Sequence, residues 1–134
     1  TLRGLTVRDA MQPLGYRLSR NDRLGDIIEH IAATPQNAFV VVEEGRLAGL
    51  ITRGALLAAA RKAGSAATVG AHLPATTPKL APDLPLTDAQ EQLQLYPAAV
   101  VVENGLTIGL VSRTDIGRLA ETLEMVRHNR IRRG

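Results

Sequence analysis

The sequence predicts an α+β fold in which two tandem β-α-β-β-α repeats pack sheet to sheet about a pseudo-twofold axis. The first observation is an internal repeat, in which residues 18–26 align with residues 80–88 and residues 40–45 align with residues 100–105. The second is that both halves carry the same order of strand, helix, hairpin and helix signals. Self-similarity of this kind indicates duplicated structural units, so each half should fold in the same way.

The third observation is that the central strands of the two halves, at residues 39–42 and 99–102, do not alternate between apolar and polar side chains. Strands that are apolar on both sides are covered on both faces. Helices of the same half can cover one face, and the sheet of the sister half can cover the other. Units of about 60 residues are marginal alone, so we predict one module with repeats at residues 5–63 and 64–126 and a basic tail at residues 127–134.

Each repeat opens on a short extended segment, at residues 16–19 and 79–81, which an amphipathic helix follows. The helices have apolar residues at helical spacing, namely Leu24, Ile27, Ile28 and Ile31 in one repeat, and Leu86, Ala89, Leu93 and Tyr96 in the other. Pro35 and Pro97 follow. Because a residue before proline is pushed out of the α region, both helices should end there.

A hairpin and a last helix complete each repeat. The hairpin signal is strongest at Asn104-Gly105, because both residues tolerate the positive φ of a type I′ turn. Apolar residues at helical spacing then predict a buried stripe on each last helix, formed by Leu56, Leu57 and Ala60, and by Ile116, Leu119, Ala120 and Leu123.

Composition excludes several classes of site. With 45% hydrophobic but only 2% aromatic residues, the core must be aliphatic, and an aromatic platform for single-stranded nucleic acid is not expected. The absence of cysteine excludes disulfides, thiol catalysis and cysteine-ligated zinc, and His30, His72 and His128 have no partner at metal-ligand spacing. Because the sequence shows no partnered nucleophile and no glycine-rich phosphate loop, we predict neither a metal site nor an enzyme.

No apolar run approaches the roughly 20 residues needed to span a bilayer, and the start of the chain lacks a signal-peptide pattern. We therefore expect a cytoplasmic location, either free or as the cytosolic part of a membrane protein. The opening Thr1 indicates a fragment of a larger protein.

Positive charge is concentrated at the end of the chain. The net charge of +3 depends on four arginines, Arg127, Arg130, Arg132 and Arg133. Such arginines either favour the negative end of a helix dipole or contact nucleic acid, an anionic membrane or an acidic partner. Nucleic acid is not the expected partner, because one basic cluster without a second basic element is a weak signature.

The segment from Ser112 to Asp115 carries chemistry that points to a ligand. A helix start exposes unpaired N–H groups and a positive dipole end, which attract anions such as phosphate. The Asp115 carboxylate can accept two hydrogen bonds and so suits a vicinal diol, such as that of ribose. The alternative is that Ser112 and Asp115 form a capping box that only closes the helix end.

The motif Gly-apolar-apolar-Ser/Thr-x-x-Asp, set in two tandem β-α-β-β-α units over residues 5–123, resembles a pair of cystathionine-β-synthase (CBS) domains, also called a Bateman module. The resemblance implies a regulatory module that requires no cofactor and binds an adenosine-containing ligand, AMP, ADP, ATP or S-adenosylmethionine, in the cleft between the repeats. It also implies a homodimer paired through helices. The effector, fused or separate, would be a transporter, channel, membrane protease or metabolic enzyme.

The resemblance also implies ligand-binding residues, which are Ser112 and Asp115 at the ribose and phosphate, and Leu80, Ala98 and Ala99 nearer the base. Arg53 and Arg113 follow the capping hydroxyls, and they either reach a phosphate or are simply solvated.

The first repeat departs from the motif, because Ala55 stands where the aspartate is expected. Thr52 can still cap the helix, but no carboxylate remains to bind a ribose diol. We therefore expect one competent site and a degenerate one that is empty or takes a simpler anion. The alternative function is a structural dimerisation module with decayed nucleotide sites, for which Ala55 argues and against which Asp115 argues.

Overall fold

The computed structural model describes residues 2–133, which form two three-stranded sheets flanked by helices; Thr1 and Gly134 lie outside them. In chain order the elements are α1 (Val7–Ala10), β1 (Leu18–Ser19), α2 (Leu24–Ala33), β2 (Ala38–Glu43), β3 (Arg46–Thr52), α3 (Arg53–Ala63), a 3₁₀ helix (Val69–His72), β4 (Lys79–Leu80), α4 (Leu86–Gln92), β5 (Ala98–Glu103), β6 (Leu106–Ser112) and α5 (Arg113–Arg133). The predicted α+β class and the two β-α-β-β-α repeats are confirmed.

The two sheets have the same topology. β1 runs parallel to β2, which pairs antiparallel with β3, and β4, β5 and β6 repeat this arrangement. Both hairpins turn on two residues with positive φ, Glu44-Gly45 and Asn104-Gly105. The hairpin predicted from the Asn-Gly pair is therefore confirmed. In each sheet the last strand leads directly into a helix.

The sheets pack face to face. Equivalent aliphatic residues of the two repeats form a shared buried core, made of Ala38, Val40, Leu50, Ala98, Val100 and Leu110. The residues between them point the other way, so that Phe39 and Val41 pack with α2 and α3, whereas Ala99 and Val101 pack with α4 and α5. The strands do not alternate because both of their faces are covered, and the predicted packing about a pseudo-twofold axis is confirmed.

The first short helix of each repeat, α1 or the 3₁₀ helix, packs into the core of the other repeat. α1 packs on the second repeat, where Val7 is fully buried and its N–H donates to the Leu84 carbonyl at 2.9 Å. The 3₁₀ helix packs on the first repeat, where Val69 is fully buried and its N–H donates to the Asp22 carbonyl at 2.9 Å. One helical turn is too short to show a periodicity, so the sequence does not predict either helix. The repeat limits at residues 5–63 and 64–126 stay a prediction.

The last helix is much longer than its counterpart, with 21 residues in α5 against 11 in α3. Gly64 ends α3 with a φ of 84°, a positive value that glycine adopts readily because it has no Cβ. The equivalent Glu124 continues α5, so the predicted basic tail is helical through Arg133; the side chains of Arg132 and Arg133 lie outside the described part. Over residues 2–133, none of the helices is long and apolar enough to cross a membrane.

Candidate ligand cleft between the repeats

Ser112 and Asp115 form a complete capping box at the start of α5. The Ser112 N–H and hydroxyl donate to Asp115 Oδ2 at 2.8 and 3.0 Å, and the Asp115 N–H donates to Ser112 Oγ at 3.2 Å. Both residues are buried, with exposures of 6% and 8%. No donor within residues 2–130 bonds to Asp115 Oδ1. The capping role is therefore present, and it leaves one carboxylate oxygen with its full capacity to accept.

The Asp115 carboxylate lines a cleft between the two repeats, which we call the Asp115 cleft. The volume of this cleft is about 310 Å³, at the lower end of the roughly 300–1,000 Å³ of small-molecule sites. The second repeat contributes Leu110, Ser112, Asp115 and Arg118, and the facing wall consists of Gln12, Pro13, Gly15 and residues 34–38. Arg118 was not predicted from the motif, although its position three residues after Asp115 places both on one side of the helix.

The facing wall is held together by the side-chain amide of Gln36. Its Nε2 donates to the carbonyls of Tyr16 and Ala38 at 3.0 and 2.9 Å, and its Oε1 accepts from the Tyr16 N–H at 3.0 Å. Gly15 has a φ of +62°, and a Cβ there would lie 2.5 Å from Gln36 Oε1. The wall therefore requires both glutamine and glycine, and no sequence motif marks this pair.

A second cavity, which we call the central cavity, lies between the N-terminal ends of α3 and α5. It has a volume of about 440 Å³ and is lined by Thr52, Arg53, Gly54, Ser112, Arg113 and Thr114, among others. Asn37 and Ser112 line both this cavity and the Asp115 cleft. Because two helix starts face one space, the local field favours an anion there.

Arg53 and Arg113 have the same structural role in the two repeats. Arg53 Nη1 donates to the Thr34 carbonyl at 2.5 Å. Arg113 donates through Nε to the Leu93 carbonyl and through Nη2 to the Gln94 carbonyl at 3.0 Å. The two guanidinium groups thus bind free carbonyls at the ends of α2 and α4 while lining the central cavity. α2 ends at Ala33, just before the Thr34-Pro35 pair as expected, but α4 ends at Gln92, before the Pro97 that was expected to end it, so Tyr96 of the predicted apolar stripe lies outside the helix.

Comparison with known proteins identifies the architecture. The model of the CBS domain family matches residues 6–62. A Vibrio cholerae protein described as an acetoin utilization protein (AcuB) is 19% identical, with a TM-score of 0.75 over 93% of this chain and 96% of its own. CBSX2, a CBS-pair protein of Arabidopsis thaliana solved in complex with AMP, is 21% identical, with a TM-score of 0.72 over 90% and 99%.

The CBS domain of a bacterial CNNM/CorC family Mg²⁺ transporter, solved in complex with ATP, is 20% identical, with a TM-score of 0.72 over 86% of each chain. The chain has the fold of a tandem CBS-domain pair. The resemblance predicted from the repeated motif is confirmed. No curated protein sequence is significantly similar to this chain.

The structure does not bring all the predicted ligand residues together. Leu80 and Ala99 are 5% and 0% exposed and lie in the helix-side core of the second repeat. Ala98 faces the sheet of the first repeat and lines the central cavity and a different cleft. Adjacent residues of a strand point to opposite faces, which is why Ala98 and Ala99 separate. Of the predicted set, Ser112 and Asp115 line the Asp115 cleft, where residues 12–15 and 34–38 form the facing wall.

The equivalent cleft of the first repeat, which we call the second cleft, is smaller and apolar. Its volume is about 170 Å³, and its lining includes Thr52, Ala55, Pro74, Pro78, Tyr96 and Ala98. Thr52 caps α3, since its Oγ1 accepts from the Ala55 N–H at 3.1 Å. Proline and tyrosine side chains occupy the space, and Ala55 supplies no carboxylate.

Replacing Gln36 by alanine tests the wall of the Asp115 cleft. Gln36→Ala removes three hydrogen bonds to the backbone of Tyr16 and Ala38, so the free energy of unfolding should fall by about 1–3 kcal/mol. Urea denaturation measures this change. Gln92→Ala, an exposed glutamine at the end of α4, is the control and should leave the midpoint unchanged. Equal midpoints for wild type and Gln36→Ala would show that the amide does not hold the wall.

Proposed function

We propose that this CBS pair is a regulatory module that binds one adenine nucleotide per chain in the Asp115 cleft. The observation that carries the proposal is the buried Asp115 carboxylate, whose Oδ1 is free beside a helix start. One carboxylate oxygen has two acceptor positions, enough for both hydroxyls of a ribose. The AMP and ATP complexes of two proteins with this fold support the proposal.

The charges around the cleft favour a phosphate over a sulfonium ion. Arg118 lines the Asp115 cleft, and Arg53 and Arg113 line the central cavity beside it. Among the described lining residues of both spaces, Asp115 is the one acidic group. We therefore propose that the ribose binds Asp115 and that the phosphates extend past Ser112 into the central cavity. S-Adenosylmethionine has a positive charge at the equivalent position and should bind more weakly.

Calorimetry on the wild-type chain with AMP, ADP, ATP and S-adenosylmethionine tests this proposal. We expect a stoichiometry of one nucleotide per chain, with the phosphate-bearing ligands tighter than S-adenosylmethionine. If none of the four ligands gives heat or a thermal shift at millimolar concentration, the alternative of a structural dimerisation module is favoured. The completed capping box and Ala55 are the observations that favour that alternative.

We further propose that the CBS pair forms a homodimer through its helices. Gly117 lies exposed within α5, where a Cβ would meet nothing within 4 Å, and it lines a groove of about 450 Å³ between α4 and α5. A glycine inside a helix costs about 1 kcal/mol relative to alanine, which close packing by a partner helix would offset. Closed twofold pairing is also the commonest assembly of soluble chains.

Sedimentation velocity tests the dimer. The wild type should sediment as a dimer of the 14.3 kDa chain, and Gly117→Leu should sediment as a monomer with an unchanged circular dichroism spectrum, because leucine fills the groove. Ala63→Leu, at the exposed end of α3, is the control. A wild type that stays monomeric at high concentration would refute the dimer.

We infer that the module regulates an effector rather than carrying out catalysis. One protein of this fold is the CBS domain of a Mg²⁺ transporter, which supports a fused or partner effector of that kind on the cytoplasmic side, where adenine nucleotides are abundant.

A further inference from the structure

A further cavity, which we call the hairpin cavity, is lined by both hairpin turns through Gly45 and Gly105 and has a volume of about 380 Å³. This volume lies within the roughly 300–1,000 Å³ of small-molecule sites. Along the first hairpin, Ala38 pairs with Thr52 at the start of α3, whereas the hairpin cavity lies at the other end, beside Arg46. It shares no lining residue with the Asp115 cleft, the second cleft or the central cavity.

Most side chains that line the hairpin cavity are aliphatic. Val40, Val42 and Leu47 of the first hairpin line it together with Leu14, and all four pack in the core between the sheets. Val40 is only 3% exposed, so the cavity opens onto the end of that core. The second hairpin contributes Leu106, which is 68% exposed. An apolar group bound here would cover Leu106 as well as the valines, and its burial is favourable in proportion to the apolar area removed from water.

The charged groups that line the hairpin cavity are two cations. Neither Arg17 nor Arg46 makes an ion pair or a side-chain hydrogen bond within residues 2–130. The carboxylates of Glu43 and Glu103, at the ends of β2 and β5, pair with other arginines, at 3.7 and 2.7 Å. Glu44 is exposed in its turn and does not line the cavity. A guanidinium group presents parallel N–H groups that match the two oxygens of a carboxylate.

We propose that the hairpin cavity binds a small organic acid, in which a carboxylate is attached to an aromatic or branched aliphatic body. The difference between the two hairpins sets the orientation of this acid. Position 46 is arginine in the first repeat, and the equivalent position 106 is leucine in the second. The carboxylate therefore binds Arg17 and Arg46, and the apolar body packs against Leu106 and the valines. Because the lining is separate from that of the Asp115 cleft, the proposal does not rest on nucleotide binding.

Benzoate, benzamide and acetate separate the contribution of the charge from that of the apolar body. Benzamide has nearly the shape of benzoate without its charge, and acetate has the charge without the ring. Backbone amide NMR of the full chain should show that benzoate shifts the signals of residues 42–47 and 105–107. Benzoate should bind at least about tenfold more tightly than either other probe, because each lacks one of the two contacts.

Two arginine variants test the cations of the hairpin cavity. Arg17 and Arg46 are exposed, so their replacement should not disturb the fold. Arg17→Gln and Arg46→Gln should each weaken benzoate binding about fivefold, because a charge-assisted hydrogen bond is lost at a site that water partly screens. Arg61→Gln, an exposed arginine of α3 outside the cavity, is the control and should bind benzoate as the wild type does.

A valine variant tests the apolar lining. Val42→Thr keeps the shape of the side chain and adds a hydroxyl, so it should weaken benzoate binding and leave acetate binding unchanged. The control is Val102→Thr, because the equivalent Val102 packs on the same core but does not line the cavity.

Four results would each overturn the proposal of an organic acid in the hairpin cavity. Benzoate could shift none of these amides, or only amides around Ser112 and Asp115. Benzamide could bind as tightly as benzoate. Both arginine variants could keep wild-type affinity. Inorganic phosphate could shift the same amides with a higher affinity than benzoate, which would show a site for a simple anion.

Discussion

Asp115→Asn should weaken nucleotide binding roughly 30-fold while changing the stability of the chain little. The asparagine carbonyl can take the place of Oδ2 and accept from the Ser112 N–H and hydroxyl, so the cap of α5 is retained. The amide NH₂ then replaces Oδ1, the oxygen proposed to accept the ribose hydroxyls. Each hydrogen bond to a charged group contributes about 1.5–3 kcal/mol, so loss of both ribose contacts should cost at least about 2 kcal/mol, which is roughly 30-fold in affinity. Calorimetry with ATP measures this change.

The chain contains a matched control in the capping box of α1. Thr6 N–H donates to Asp9 Oδ2 at 2.8 Å, in the arrangement that Ser112 and Asp115 adopt, but Asp9 is exposed and lies outside the cleft. Asp9→Asn should therefore bind ATP as the wild type does. A 2′,3′-dideoxy analogue should bind the wild type poorly and lose little more in Asp115→Asn. Equal affinity of ATP and its dideoxy analogue for the wild type would exclude the diol contact.

Neither half of the chain should fold alone, and mixing the two halves should restore the fold. Fragment 64–134 lacks α1, so the site of the buried Val7 is left open, and fragment 1–63 lacks the 3₁₀ helix that buries Val69. Each fragment also exposes the inter-sheet face of its central strand. Units of about 60 residues have little stability to lose, so the expected effect is complete unfolding, measured as loss of amide dispersion in NMR spectra.

Moving the cut gives the control for this experiment. Fragment 1–76 retains the 3₁₀ helix and should show more protected amides than fragment 1–63, although its inter-sheet face is still exposed. An equimolar mixture of fragments 1–63 and 64–134 should recover the spectrum of the intact chain. If either short fragment alone unfolds cooperatively on heating, the two cores are independent, and the packing of α1 and the 3₁₀ helix on the opposite repeats contributes little to stability.

The predictable features are those with a local or periodic signature. Asn104-Gly105 predicts its turn without knowledge of the rest of the chain, and the apolar strands predict a second covered face. The packing of α1 and of the 3₁₀ helix on the opposite repeats depends on contacts between residues far apart in sequence, such as Val7 with Leu84. A single buried valine shows no periodicity in the sequence.

The site was predictable only at its helix end, where Ser112 and Asp115 follow a capping rule. The Gln36 wall has no such rule, because its amide bonds to backbone atoms that any residue could provide. The separation of Ala98 from Ala99 required knowledge of which face of β5 meets the sister sheet. Two neighbouring alanines cannot indicate this by themselves.

The course of the chain through residues 12–18 links the Asp115 cleft to the first helix. Gln12 exchanges two backbone hydrogen bonds with Leu110 of the second repeat, at 2.7 and 2.9 Å, whereas Leu18 pairs with Val41 of the first. Residues between these points form one side of the Asp115 cleft, so a ligand bound there would contact the segment that crosses from one repeat to the other. If a bound ligand holds this segment in place, a partner that pulls α1 away from the second repeat lowers the affinity for the ligand, and by reciprocity of binding free energies the bound ligand resists that pull by the same free energy.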